Sequence, residues 1–234
     1  MEVIVRDIDL LNCGTVPTTA NGGRFSAAIV GAAPPTVSYV NGSGFGLGAV
    51  QLALTSASQA QVACFHQADV LGINIDQLIR AEFLARCTVA PDAAPVKASF
   101  GLASARNDDV DAIAHSLLFN LTGSAVVNAQ CDDNVVDTAN VSSGVTLGTA
   151  WKRFVIDLGS ADPGFTGKQD VRFLLDGTDG RLTEVLRASN AKFSVENSTS
   201  QLQIFAQVEK ASGTGVGTIQ LGGIRLYLRT ALSS

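Results

Sequence analysis

Trp151–Leu158 reads WKRFVIDL, Gln169–Gly177 reads QDVRFLLDG, and Leu202–Arg229 reads LQIFAQVEKASGTGVGTIQLGGIRLYLR. Apolar and polar residues alternate in each run, which sends successive side chains to opposite faces of a strand. Phe154, Ile156 and Leu158 share one face; Leu202, Ile204, Ala206 and Val208 share another; Ile224, Leu226 and Leu228 share a third. The pattern predicts a sheet and names no chemistry.

Upstream, Gly48–Thr55 (GAVQLALT) and Gln61–Gln67 (QVACFHQ) read as a pair of strands. Asp76–Cys87 (DQLIRAEFLARC) places Ile79, Ala81, Phe83, Ala85 and Cys87 on one face and Arg80, Glu82 and Arg86 on the other. A polar break at every second residue makes this run a strand and not a helix. Val96–Ala103, His115–Asn120 and Ala125–Cys131 complete a set of about eleven or twelve short strands with no βαβ rhythm, which predicts a sandwich or barrel.

The first forty residues differ. After an apolar opening strand, Glu2–Val5, come Thr15-Val-Pro-Thr-Thr, Asn21-Gly-Gly and Ala32-Ala-Pro34-Pro35. Proline and glycine at this density punctuate regular structure. The expected organisation is therefore an extended arm over residues 1–40 and a sandwich over 41–234. Such an arm either clasps another subunit, with Pro34 and Pro35 as candidate contacts, or lies along its own sheet.

Charged residues make up 16% of the chain, against roughly 25% in an average globular protein. The net charge of −5 and isoelectric point near 4.9 argue against nucleic-acid binding, which needs a basic face. The amino terminus, MEVIVRDIDLLN, shows neither the basic region nor the apolar stretch of an export signal. Phe25–Val40 is too short and too broken by prolines to span a bilayer. Cys13, Cys64, Cys87 and Cys131 form no CxxC pair. They read as reduced thiols packed as small apolar groups, with a Cys64–Cys87 disulfide as the alternative.

The order of features resembles the concanavalin A-like (laminin-G-like) jelly roll, in the version found among structural proteins of tailed bacteriophages. The resemblance rests on Asp76-Gln-Leu-Ile-Arg-Ala-Glu-Phe83, Phe100-Gly-Leu-Ala103, the acidic loop Asn107–Asp111, Trp151-Lys-Arg-Phe-Val-Ile-Asp-Leu158, Val171-Arg-Phe-Leu-Leu-Asp-Gly177 and the closing strand Ile219–Arg229. It implies an all-β antiparallel jelly-roll β-sandwich and a non-enzymatic virion protein of the capsid decoration (cement) type. Such a protein would act as a homo-oligomer, in the expected form a trimer, bound to the major capsid protein in a virion assembled in the host cytoplasm. The alternative reading is a lectin-like carbohydrate-binding or host-attachment module of a tail or head fibre.

Carbohydrate-cutting members of that fold are similar in carrying a Glu-x-Asp-x-x-Glu strand. Here Glu2, Glu82, Glu184, Glu196 and Glu209 are scattered and the signature is missing, so no catalytic residue is assigned. His66 and His115 read as strand residues without a nucleophile turn beside them. Asp108, Asp109 and Asp111 form the densest carboxylate group, a candidate Ca²⁺ loop set against ordinary turn acids and caps. Asp132, Asp133 and Asn134 form a second group. Gly42–Gly48 and Gly213–Gly217 read as turns or bulges and not as phosphate loops. Trp151, of opposite parity to Phe154, faces solvent or lies under a loop. Arg225, Tyr227 and Arg229 form an outer face open to a partner.

Overall fold

The computed structural model describes residues 3–8, 24–40, 48–68, 72–159, 167–187 and 192–229. Sixteen strands form there: β1 (Val3–Ile8), β2 (Ser26–Val30), β3 (Thr36–Val40), β4 (Ala49–Ala53), β5 (Gln61–His66), β6 (Ile73–Asn74), β7 (Leu78–Val89), β8 (Val96–Ala103), β9 (Ser116–Thr122), β10 (Val126–Asp132), β11 (Asp137–Thr146), β12 (Lys152–Asp157), β13 (Arg172–Asp176), β14 (Leu182–Glu184), β15 (Gln201–Lys210) and β16 (Thr218–Arg229). Sheet I runs β14-β13-β12-β7-β16-β4-β3, with β1 also on β16; sheet II runs β11-β10-β9-β8-β15-β5-β2, with β6 also on β15. Every strand pairing is antiparallel. The chain crosses repeatedly from one sheet to the other, β7 to β8, β11 to β12, β14 to β15 and β15 to β16, and so builds a jelly-roll β-sandwich.

The alternation read from the sequence sets the core. Phe154 and Ile156 of β12, the even-numbered residues 202–208 of β15, and Ile224, Leu226 and Leu228 of β16 all enter one buried cluster between the sheets. Phenylalanine rings hold its centre. Phe100 and Phe154 meet edge-on with centroids 4.9 Å apart, Phe119 meets Phe173 at 5.2 Å, and Phe173 meets Phe193 at 4.8 Å. Edge-to-face contacts of this kind add about 0.5–1.5 kcal/mol each beyond the area they bury.

Two expectations change. The runs at 48–55 and 61–67 do not pair. β4 joins β3 and β16 in sheet I, whereas β5 joins β2 and β15 in sheet II. Both are apolar because both face the same core, and the link between them crosses the sandwich. The strand count rises because β11 and β14 lie at sheet edges, where a polar or very short strand suffices.

The described part of residues 1–40 lies along the chain's own sheets. β1 pairs with the second half of β16, β2 with β5, and β3 with β4. Pro34 and Pro35 sit where the chain leaves sheet II for sheet I, and Pro35 is buried. Just before them the Ala33 carbonyl accepts hydrogen bonds from Gln59 Nε2 (3.1 Å), Gln61 Nε2 (2.6 Å) and Thr55 Oγ1 (3.3 Å). These three donors latch the crossing to its own sandwich. A proline, lacking an N–H, fits a crossing of this kind and not a ladder. Thr15-Val-Pro-Thr-Thr, Asn21-Gly-Gly, Cys13 and residues 41–47, with the expected boundary at 40/41, lie outside the described residues.

Candidate functional site

Sheet I turns its second set of alternating side chains outward, and strand register arranges them in rows. Asp176 of β13 and Leu84 of β7 flank Arg153 of β12. One step along lies the row Leu174, Val155, Glu82, Arg225 and Asp7, contributed by β13, β12, β7, β16 and β1. β16 slips register between Leu221 and Ile224, so Gly222 and Gly223 form a bulge beside Leu84. The doubled glycine lowers the floor there, because a bulge without side chains leaves room above the sheet. The result is a cleft of about 720 Å³ bordered by Asp7, Glu82, Trp151, Arg153, Asp176 and Arg225.

Trp151 stands at one end of this cleft, half-buried. Its indole comes so close to the bulge that a Cβ on Gly222 would lie 3.1 Å from Cζ3. The Arg86 guanidinium lies 4.7 Å from the ring centroid, a cation–π distance. Arg86 Nε in turn donates to Gln220 Oε1 (2.6 Å), and Gln220 Nε2 donates to Gln51 Oε1 (2.7 Å). The chain of contacts from β4 to Trp151 fixes the ring's position through three neighbouring side chains.

The charges in the cleft are paired with one another. Arg225 grips Asp7 with two contacts, 2.5 and 3.1 Å. Arg153 lies 3.8 Å from the Asp176 carboxylate, which also accepts from the Arg153 backbone N–H at 2.8 Å. Arg80 reaches Glu82 at 3.2 Å. The Arg225 hydrogen bond holds the Asp7 carboxyl below its usual range. Arg225, bonded to Asp7 and beside Tyr227, is held above its own. These carboxylates retain acceptor lone pairs and the guanidiniums retain donors, set around an aromatic ring.

The glutamates singled out in the sequence are not brought face to face. Glu184 is separated from Glu82 by β13 and β12, about 14 Å at the usual strand spacing. Glu209 lies on the outer face of sheet II, beside Lys97. Asp7 and Glu82 flank Arg225 across two strand spacings, about 10 Å, and a general acid needs a raised pKa where Asp7 has a lowered one.

The acidic loop was a candidate Ca²⁺ site, and its carboxylates are taken up by neighbouring cations and backbone N–H groups. Asp108 pairs with Arg106; Asp111 pairs with Lys97 at 2.5 Å; Asp109 accepts from the Asp111 backbone N–H at 3.1 Å and caps the short 3₁₀ turn Val110–Ala112. Asp133 likewise caps its own hairpin, accepting from the N–H groups of Val135 (3.0 Å) and Val136 (2.7 Å). Among the described residues no three His, Cys, Asp or Glu side chains gather as a metal site would require. The outer face Arg225/Tyr227/Arg229 forms as read, but it is not an open partner face along its length. β1 lies against that half of β16, and Asp7 occupies the Arg225 fork. Cys87 is a buried free thiol in the main core, which excludes the Cys64–Cys87 bridge. Burial pushes its pKa up to about 11.

Reading the sequence alone left Trp151's position open and missed the cleft. Its one signal was Gly222-Gly223, the break in an otherwise regular alternation.

No known protein family and no curated protein matches the chain. Solved structures do. A protein of unknown function from Shewanella oneidensis MR-1 superposes with a TM-score of 0.60 at 10% identity, covering 99% of this chain and 89% of its own. The carbohydrate recognition domain of Emp47p gives 0.60 at 10% identity, with 95% and 94% covered. The exoplasmic/lumenal domain of VIP36, in its Ca²⁺/Man3GlcNAc-bound form, gives 0.53 at 6%, with 90% and 86% covered. The Crh5 transglycosylase gives 0.51 at 13%, with 97% and 85% covered. At such identities the likeness shows the fold alone: a jelly-roll β-sandwich, an architecture found in carbohydrate recognition domains and in a transglycosylase.

Proposed function

We propose that the chain is a carbohydrate-binding module that holds a sugar in the sheet I cleft and does not cleave it. The observation that carries this reading is Trp151, fixed by Arg86 and the Gly222–Gly223 bulge at the end of a cleft rimmed by hydroxyl-binding groups. A sugar offers an apolar ring face to the indole and a rim of hydroxyls to Glu82, Asp176 and Arg153. The shared fold with carbohydrate recognition domains supports the choice of ligand class. Screening the purified protein on a glycan array, then titrating the best ligand into wild type and Trp151→Ala by calorimetry, tests it. Wild type binds, and Trp151→Ala loses at least tenfold in affinity with its circular dichroism unchanged. Equal affinity in the variant, or no glycan bound by wild type at millimolar concentration, overturns it.

A second reading is favoured by a different observation. Val3, Ile4 and Val5 of β1 and Ile29 and Val30 of β2 are exposed on strands that each pair with one neighbour. Such apolar edges suit packing against other subunits, as in a virion decoration protein that binds the major capsid protein as a homo-oligomer. Mixing the protein with undecorated capsids and measuring occupancy distinguishes the two readings. Absence of capsid binding at micromolar concentration removes this one.

A further inference from the structure

The outer face of sheet II is covered by the loop joining β8 to β9. Residues 104–115 form a strap whose neck is closed by the bond from Ser104 N–H to the His115 carbonyl, 2.9 Å. The strap lies flat on the sheet. Val110 and Ile113 join Val62, Cys64, Ala103, Leu118 and Phe205 in an apolar cluster separate from the main core. Gln207 Nε2 donates to the carbonyls of Asn107 (2.9 Å) and Asp108 (3.3 Å).

Beside that cluster runs a polar row. Gln207 stands opposite Ser99, and Ser99 opposite Asn120. All three are at most 3% exposed, yet Gln207 Oε1, Ser99 Oγ and Asn120 Oδ1 have no hydrogen-bond partner among the described residues. A buried polar atom without a partner destabilises the state that buries it, and the strap closes over one of them, Gln207. The strap's apolar contacts are few. This balance marks a unit that opens without the rest of the fold.

One buried acid anchors the strap. The Glu209 carboxylate, 7% exposed, accepts from the Val110 backbone N–H at 3.1 and 3.3 Å and from Gln207 Nε2. Lys97 of β8 approaches at 3.8 Å and also holds Asp109 (3.5 Å) and Asp111 (2.5 Å) of the strap. From β5 the residue opposite is Val62, which is apolar. Burial, set against the bonds from Gln207 and Val110 and the charge of Lys97, pushes the Glu209 pKa up to about 7.

We propose that the strap is a pH-responsive lid: it is held tightly over Gln207, Glu209 and Cys64 in acid, and released as the solution becomes neutral. The sign follows from where the proton is held. A closed strap raises Glu209 from an ordinary 4.5 to about 7, so protonation favours closure. That contribution is complete below about 4.5, declines between there and about 7, and is gone above. His115 at the neck and His66 on the same face belong to a residue type that titrates within this window, so both need controls.

The test is the protection of the Val110 amide against hydrogen exchange, measured by NMR at pH 5 to 8 and corrected for intrinsic exchange at each pH. The opening constant rises roughly 70-fold over this range in wild type. In Glu209→Gln, which keeps the acceptor and removes the titration, it stays constant. Lys97→Met removes the cation that favours the carboxylate, so the rise becomes larger and extends to higher pH. His115→Gln and His66→Gln leave the rise in place. Peptide-resolved alkylation of Cys64, divided by the rate in unfolded protein at the same pH, follows the same curve. A flat wild-type profile overturns the proposal. So does a rise that survives in Glu209→Gln or vanishes in either histidine variant.

Discussion

Glu82 on β7 and Glu209 on β15 are both outward acids on long central strands, Glu209 one residue from its strand's end, and they meet different fates. Glu82 is half-buried in an open cleft, with Arg80 at 3.2 Å and Arg225 opposite in the register. Glu209 is sealed beneath a strap, with Lys97 no closer than 3.8 Å. The alternating pattern places both outside the core. What separates them is a loop: the 12-residue strap between β8 and β9 folds back over sheet II, whereas nothing of that kind among the described residues covers the Trp151 cleft. A sandwich needs only its inner faces to be stable. Its outer faces are therefore free to differ, one arranged for contact with solvent and ligand, the other as a second, weaker layer.

The largest effect expected from this difference is in the pH dependence of stability. Burial raises the native pKa of Glu209 from 4.5 to about 7, which corresponds to on the order of 3 kcal/mol. Because the native value is raised, the contribution is present below about pH 4.5 and lost as pH rises to about 7. Urea denaturation of wild type against Glu209→Gln should therefore show the wild type losing stability relative to the variant across that window. If the strap opens before the sandwich unfolds, the loss levels off at the strap's own opening free energy. A parallel pH profile for the two proteins would erase the contrast between the faces.

A smaller effect tests the cleft. In Gly222→Ala the new Cβ would lie 3.1 Å from Trp151 Cζ3 and 3.4 Å from Leu84 Cβ, so the indole must give by a few tenths of an ångström. The substitution also narrows the unfolded ensemble, worth about 0.4–1 kcal/mol in the opposite direction. Stability should change by less than about 1 kcal/mol, while glycan affinity falls several-fold and Trp151 fluorescence shifts. Unchanged fluorescence and affinity would show that the bulge does not position the ring.

These residues also show how far the sequence could be read. β7, β8, β12, β13, β15 and β16 are legible because each alternates over most of its length, and their inner residues are the core the structure shows, except that Leu78 and not Ile79 enters it from β7 and Gly222-Gly223 break the alternation of β16. β11 (DTANVSSGVT) is illegible because an edge strand can be polar on both faces, and its pairing with β10 is irregular. The cleft is illegible for another reason. Asp7, Glu82, Arg153, Asp176 and Trp151 come from four strands and a loop, and only register joins them. The acidic loop misled through its density: sequence displays charge, but not that Lys97, on the neighbouring strand, and Arg106 take it up. Glu209 is the extreme case, an ordinary outward residue by pattern, buried only because a loop some 100 positions earlier folds over it.

The smallest effect concerns the pair that closes the cleft at its open edge. Asp7 and Arg225 are joined by two contacts, yet both carboxylate and guanidinium lie largely in solvent. An exposed pair gains little over hydration, because water solvates each partner almost as well as the other charge does, and salt screens what remains. Asp7→Asn should leave the denaturation midpoint unchanged within error, at low salt and in 0.5 M salt (about a 4 Å screening length). What changes is recognition. Without its partner, the Arg225 fork presents two donors toward the cleft, a geometry suited to a carboxylate. Binding of glycans carrying uronate or sialate groups should then rise relative to neutral ones. A lower midpoint would mean that the pair holds β1 against β16, making Val3–Ile8 part of the sandwich's stability. An unchanged midpoint with altered glycan preference would place Asp7 in the site, where it keeps Arg225 occupied and the cleft selective for uncharged sugars.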